Sequence, residues 1–354
     1  MTEPTYIPLR LHTEFSITDG MVRIKKLIAK AQEYGLPALG ISDLMNEFGL
    51  VKFYKACRSA GIKPVGAADV WIGNPNAPDK PFRAMLVIRN DAGYLRLSEL
   101  LTAAYVGKDR NVHHAELNPE WLENGDNSGL ICLSGAHYGE VGVNLLNGNE
   151  DAARAAALKY AAWFPDAFYL ELQRLPERPE WEACVSGSVK LAEELGLPVV
   201  ATHPTQFMSR DDFNAHEARV CIAGGWVLTD KKRPRDFTPS QFFIPPETML
   251  ERFADLPEAL ENTVEIAKRC NIHITLGKNF LPLFPTPDGL SLDDYLVKLS
   301  NEGLQERMVQ LYPDEAERAA KMPEYQERLD FELNIIIQMK FPGYFLIVQD
   351  FINW

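Results

Sequence analysis

Apolar residues fall into short runs up to Ala201 and into long interrupted stripes beyond it. Seven runs read as strands: Tyr6–Leu11, Ala38–Ser42, Pro64–Trp71, Ala84–Ile88, Leu130–Leu133, Phe168–Leu172 and Pro198–Ala201. Glycine and proline bound several of them, as in Gly35-Leu36-Pro37 and Gly196-Leu197-Pro198. Helical spacing fills the gaps. Met21–Tyr34 puts Ile24, Leu27, Ile28 and Ala31 on one face, with Asp19-Gly20 in front as a start signal. Phe48–Ala60, Ala92–Tyr105, Asp151–Trp163 and Glu180–Leu195 follow the same rule. Strands alternating with helices predict parallel strands joined by crossover helices. Seven such units predict a closed or nearly closed β/α barrel, with a doubly wound open sheet as the competing fold. In either fold the chemistry sits beyond the carboxyl ends of the strands.

After Ala201 the strands stop. Asp211–Ala223 and Leu256–Arg269 read as helices. Lys278–Gly289 holds Pro282, Pro285 and Pro287, a stiff connector. Ser291–Tyr312 and Pro313–Met339 read as long charged helices, and Phe341–Trp354 is aromatic and apolar. A helix from near Tyr344 to an uncapped Trp354 reads as cut, as in an engineered fragment or a truncated gene product. The expected division is residues 1–278 and 279–354.

Composition narrows the class. Hydrophobic residues make up 46% and charged residues 24%, so disorder does not describe the whole chain. No apolar run reaches the roughly 20 residues of a membrane span, and Met1–Arg10 lacks the pattern of a secretory signal. Cys57, Cys132, Cys184, Cys221 and Cys270 are scattered and odd in number, which reads as reduced thiols in a cytoplasmic protein. The formal charge of −13 argues against strong nucleic-acid binding by this segment alone.

Candidate chemistry is sparse. In Arg10-Leu11-His12-Thr13-Glu14-Phe15-Ser16, Arg10 and His12 point to one side of a strand, the spacing of an H-x-H metal pair. Arg10 cannot ligate, and His12 with Asp19 gives two ligands where a hydrolytic metal usually takes three or more from protein. A hydrogen-bonded remnant is therefore preferred to a metal ligand at His12. His113-His114 read as solvated, His137 could face the barrel mouth, and His203, His216 and His273 read as structural or loop positions. No nucleophile elbow, Walker loop or G-x-G-x-x-G occurs. Asp293-Asp294 suit a helix start. Lys231-Lys232-Arg233-Pro234-Arg235 reads as a solvated basic loop, with a phosphate or acidic partner as the alternative.

Leu11-His12-Thr13-Glu14-Phe15-Ser16-Ile17-Thr18-Asp19-Gly20 resembles the opening motif of the PHP (polymerase and histidinol phosphatase) domain family, in the variant that begins bacterial DNA polymerase III alpha subunits of the Gram-negative type. Gly49-Leu50-Val51-Lys52-Phe53-Tyr54, Gly61-Ile62-Lys63-Pro64, Leu197–Thr202, Pro257–Cys270 and Phe341-Pro342-Gly343-Tyr344-Phe345-Leu346-Ile347-Val348 extend the resemblance from about Tyr6 to Trp354. It implies a distorted seven-stranded β/α barrel followed by a mostly helical segment that begins the polymerase palm. Metal-binding members open with H-x-H; here that pair is Arg10 and His12, followed by Asp19. Further family ligand positions fall on Leu44, Asp69, Arg83, Ala136, Pro204 and Gln206. Only His12, Asp19 and Asp69 of these nine retain a usable donor, so no metal is expected in this segment.

The resemblance therefore implies a refilled pocket, with Arg10 or Arg83 paired to Asp19 or Asp69. It also implies an inactive PHP scaffold that docks a separate proofreading exonuclease subunit. No D-x-D motif occurs, so the magnesium-dependent palm chemistry of DNA synthesis, with DNA itself and other replisome subunits as partners, would lie in sequence after Trp354. Two alternatives remain: an active metal-dependent phosphoesterase or 3′–5′ exonuclease, and a small-molecule barrel enzyme. Phe341, Tyr344, Phe345 and Phe351 are expected to expose apolar surface when palm core is missing. No membrane partner is expected.

Overall fold

A computed structural model describes residues 4–278 and 280–354, so Met1–Glu3, and Asn279 of the predicted connector, lie outside the described residues. The chain divides into two compact units, Met1–Ile274 and Thr275–Trp354.

The first unit is built on six strands in sequential order: β1 (Ala38–Leu44), β2 (Lys63–Ile72), β3 (Phe82–Ile88), β4 (Leu130–Leu133), β5 (Phe168–Leu172) and β6 (Val199–Ala201). The sheet curls into part of a barrel. Six of the predicted runs become strands; the seventh, Tyr6–Leu11, does not. Its backbone still lies along β1, where Gly40 N–H donates to Pro8 O at 2.7 Å and Ser42 N–H to Leu11 O at 2.8 Å. Pro8 has no N–H to return, and Leu11 N–H goes to the Ser42 hydroxyl at 3.0 Å, so no regular ladder forms. On its other side Leu11 makes an isolated bridge to Thr205.

Strand direction also departs from the expectation of an all-parallel sheet. β1–β2, β4–β5 and β5–β6 are parallel, but β3 is antiparallel to both neighbours. β2 returns into β3 through a short helix-free turn at residues 73–81, so no crossover helix can set a parallel pair there.

The helices of this unit are α1 (Ile24–Glu33), α2 (Leu50–Ser59), α3 (Asp91–Val106), α4 (Pro119–Glu123), α5 (Glu140–Leu146), α6 (Glu150–Trp163), α7 (Glu182–Leu195), α8 (Phe213–Gly224), α9 (Pro246–Arg252) and α10 (Pro257–Arg269). α1 forms where predicted and buries the predicted face of Ile24, Leu27, Ile28 and Ala31, against Leu39 and Ile41 of β1 and Phe53 of α2. Each fully buried Leu, Ile or Phe there contributes roughly 1.5–3 kcal/mol relative to exposure. The helix starts at Ile24, not at Asp19-Gly20. That pair instead belongs to a loop in which Gly20 passes so close to Thr13 O that a Cβ would sit 2.1 Å from it.

The second unit holds α11 (Leu292–Leu311), α12 (Glu315–Gln338) and α13 (Pro342–Asn353). Ser291 and Asp314 cap α11 and α12 by accepting from the N–H groups of Asp294 and Glu317. Asp293 and Asp294 therefore occupy a helix first turn. Leu296, Leu333 and Leu346 form its buried cluster, while Phe351, Ile352 and Trp354 stay exposed. Among the described residues no single helix is long and apolar enough to cross a membrane.

Candidate functional site

One cavity of about 320 Å³ gathers most of the predicted positions at the strand ends of the first unit. Arg10, His12 and Asp19 enter it from the N-terminal segment. Leu44 closes β1 beside Asp69 of β2, its registered partner, and Arg83 comes from β3. Pro204 and Gln206 arrive from the segment after β6. Ala136 is buried between two lining residues, Gly135 and His137.

Charge, not a constellation of ligands, organises this centre. Arg10 is almost fully buried and grips Glu171 with two parallel hydrogen bonds, Nε to Oε1 at 2.7 Å and Nη2 to Oε2 at 2.9 Å. Its Nη1 pairs with Asp69 Oδ2, and Arg83 Nη2 reaches the same oxygen. His12 lies between two carboxylates: Nδ1 is 3.0 Å from Asp19 Oδ1, and Nε2 is 3.0 Å from Asp69 Oδ2. Burial alone would raise the Asp69 carboxyl, but the Arg10 and Arg83 guanidiniums and His12 hold it well below the usual carboxylate range. Burial opposes charge on His12, yet Asp19 and Asp69 outweigh it and push the imidazole up to about 9. Both ring nitrogens then donate. Asp69 thus pairs with both arginines, whereas Asp19 is held by His12.

Glu171 was not singled out from sequence. Its signal was a lone carboxylate inside the apolar run Phe168–Leu172. Besides Arg10 it accepts from the Thr202 hydroxyl at 2.5 Å and from Gly135 N–H at 3.1 Å. That last bond depends on a tight turn after β4. Gly135 has φ 79°, Ala136 has φ 47°, and a Cβ on Gly135 would lie 2.0 Å from Arg83 O.

The loop carrying His12 and Asp19 is fixed from two directions. Asp43 accepts from Thr13 N–H at 2.6 Å and from the Ser16 hydroxyl at 2.8 Å, and burial raises its carboxyl despite these bonds. From α8, His216 Nε2 donates to Asp19 O at 2.5 Å and Arg219 Nε to Ile17 O at 2.7 Å. His216 and Arg219 are three apart and share a helix face. The other histidines divide as follows. His137 lines the cavity, stacked on Trp181 at 3.5 Å, with burial and then Arg10 and Arg83 lowering it to about 3. His203 lies 2.9 Å from Phe242 O, and His114 lies 2.8 Å from Glu116. Arg233 of the basic run forms a buried pair with Glu217, while Lys231, Lys232 and Arg235 are exposed.

The donor set does not fit a metal ion. Both nitrogens of His12 and one oxygen of Asp69 are engaged by the network, and two guanidiniums occupy the space beside them. Among the described residues no group of three or more His, Cys, Asp or Glu side chains could hold a metal.

Comparison with known proteins settles the family. The PHP domain profile matches residues 8–175, and the profile described as bacterial DNA polymerase III alpha NTPase domain matches residues 294–354. The DNA polymerase III subunit alpha of Neisseria meningitidis serogroup A is 98% identical over all 354 residues. The chain belongs to the bacterial DNA polymerase III alpha family. The same subunit from Pseudomonas fluorescens is 47% identical over 99% of the chain, and that of Escherichia coli K12 is 47% identical over 100% of it. The chain spans 31% of the Neisseria relative's length and 30% of the other two. It corresponds to the N-terminal part of this family, with its PHP domain.

Proposed function

We propose that this chain serves bacterial DNA replication as the N-terminal part of the polymerising subunit, with a PHP domain that is metal-free, catalytically inactive and used as a scaffold. The observation that carries the reading is Arg10, whose guanidinium joins Asp69 to Glu171 in the centre where a hydrolytic metal would need open carboxylates. A guanidinium cannot polarise a phosphoester as a Lewis acid, and a carboxylate already shared by two arginines and a histidine is a poor ligand. On this reading the parent protein is a DNA-directed DNA polymerase. Its palm begins in the helical unit, and its magnesium-binding carboxylates lie outside this chain. The scaffold docks the separate proofreading exonuclease subunit, and DNA is engaged by the full-length protein.

Two assays on the purified chain test the reading. Titration with the exonuclease subunit should give a 1:1 complex. Hydrolysis of p-nitrophenyl phosphate should stay at background with added Mn²⁺ or Zn²⁺. Metal-dependent turnover that disappears in Asp69→Ala would overturn the inactive assignment, and absence of a complex would overturn the docking assignment.

A further inference from the structure

The loop that carries Asp19 contains a tight turn built on an unsuitable residue. Thr18 N–H donates to Ser16 O at 2.6 Å, and Ile17 between them has φ 64° and ψ −56°. This is a γ-turn of the strained kind, and a β-branched side chain adds to the strain. Such strain persists only where neighbours enforce it, and it gathers at functional sites. Here α8 enforces it. Arg219 Nε donates to Ile17 O at 2.7 Å, and its Nη2 donates to Glu14 O at 3.0 Å. The Ile17 side chain gains little from the interior, because it is 61% exposed.

Arg219 joins that turn to an apolar patch. Ile222, three residues on and therefore beside Arg219 on the helix surface, is 83% exposed. Trp226, Val227 and Leu228, just past the helix end, are exposed as well. They are held in place: Trp226 N–H donates to Cys221 O at 2.8 Å, and a Cβ on Gly224 would lie 2.7 Å from the indole. Arg233 folds the basic run back onto α8, through its buried pair with Glu217 and a bond to Leu228 O at 3.2 Å. Lys231, Lys232 and Arg235 are left exposed. Beside the turn, Arg23 and Lys52 stand 3.8 and 3.9 Å from Glu14. The nearby carboxylates are fewer than the cations: Glu14 lies between those two, Asp230 accepts from Lys232 N–H, and Asp236 lines the cavity. In a chain of formal charge −13 the patch thus has a basic rim.

Aliphatic side chains do not stack on bases, so the patch suits a protein better than a nucleic acid. We infer that Ile17, Ile222, Trp226, Val227 and Leu228 form the docking surface for the exonuclease subunit, and that they receive a segment of it in which apolar side chains stand among carboxylates. The apolar residues supply the buried centre, and the basic rim speeds encounter and fixes orientation. The inference rests on the docking reading above and gives it a location and a chemistry.

The test is calorimetric titration of the whole chain and its variants with the exonuclease subunit. Ile222→Asp changes an exposed position and should weaken the complex at least tenfold at an unchanged melting temperature. Ile17→Gly relaxes the turn as it removes the side chain, so the complex should weaken about fivefold while the melting temperature holds or rises. Lys231→Glu with Lys232→Glu should weaken binding and flatten its dependence on salt. Wild-type affinity in both Ile222→Asp and Ile17→Gly would overturn the inference and leave the docking assignment standing. No complex with the wild-type chain would overturn both. A dimer of the chain that Ile222→Asp dissolves, or binding of oligo(dT) that it abolishes while the exonuclease subunit still binds, would give the surface to another occupant and overturn the inference.

Discussion

In the first unit, Arg10, Asp69 and Glu171 are held out of water at the strand ends with the partly buried Arg83 beside them, whereas the buried cluster of the second unit is Leu296, Leu333 and Leu346. The contrast is between two ways of filling an interior. An apolar cluster gives way in proportion to the atoms removed. A buried ion network is all-or-none at each member, because a lost partner leaves the other charge stranded in a poor solvent. The first unit can carry that risk because an extensive apolar core surrounds it. The second unit, with its few buried leucines, could not.

The largest expected effect is at the hub of the network. Asp69→Ala leaves two guanidiniums and an imidazole without their shared carboxylate and should cost about 3–5 kcal/mol in the first unit. Urea denaturation followed by tryptophan fluorescence reads this, since Trp71, Trp121, Trp163, Trp181 and Trp226 all lie in that unit and Trp354 alone lies outside it. A loss below about 1 kcal/mol, the level of exposed pairs, would mean that the network behaves as a surface salt bridge. Leu333→Ala should cost about 2–3 kcal/mol, and the loss should be confined to the second unit. Hydrogen exchange would show it as faster amide exchange in α11 and α12 with β1–β5 unchanged. Equal acceleration in both units would show that the two interiors are not independent.

A smaller effect follows from His12, whose imidazole is raised from an ordinary value of about 6.5 to about 9. A raised folded-state value gives stability that is full below pH 6.5 and is lost as pH rises through 9. The first unit's melting temperature should therefore fall across that window, and the fall should flatten in His12→Gln. An identical slope in the variant would remove His12 from the account. Asp69, lowered in the fold, works at the other end, with stability present above the usual carboxylate range and lost on acidification.

Much of this was legible in the sequence. Apolar spacing located the long helices, and the period of two placed Arg10 and His12 on one side, where both reach the cavity. Strand direction was not legible, because periodicity carries no sign. β3 is antiparallel to its neighbours although Ala84–Ile88 reads like any other strand. Tyr6–Leu11 has a strand's pattern but loses its ladder to Pro8 and to the Ser42 hydroxyl. The clamp of His216 and Arg219 on the Asp19 loop, and the stacking of His137 on Trp181, join positions far apart in the chain. No local spacing announces contacts of that kind.

The claim at the centre is that paired charge has replaced a metal. Elemental analysis of the purified chain after dialysis against Zn²⁺ and Mn²⁺, followed by exhaustive dialysis in metal-free buffer, tests it most directly. The account expects well under one equivalent of either metal and an unchanged melting temperature. One or more equivalents retained, with a raised melting temperature that Asp69→Ala abolishes, would contradict it.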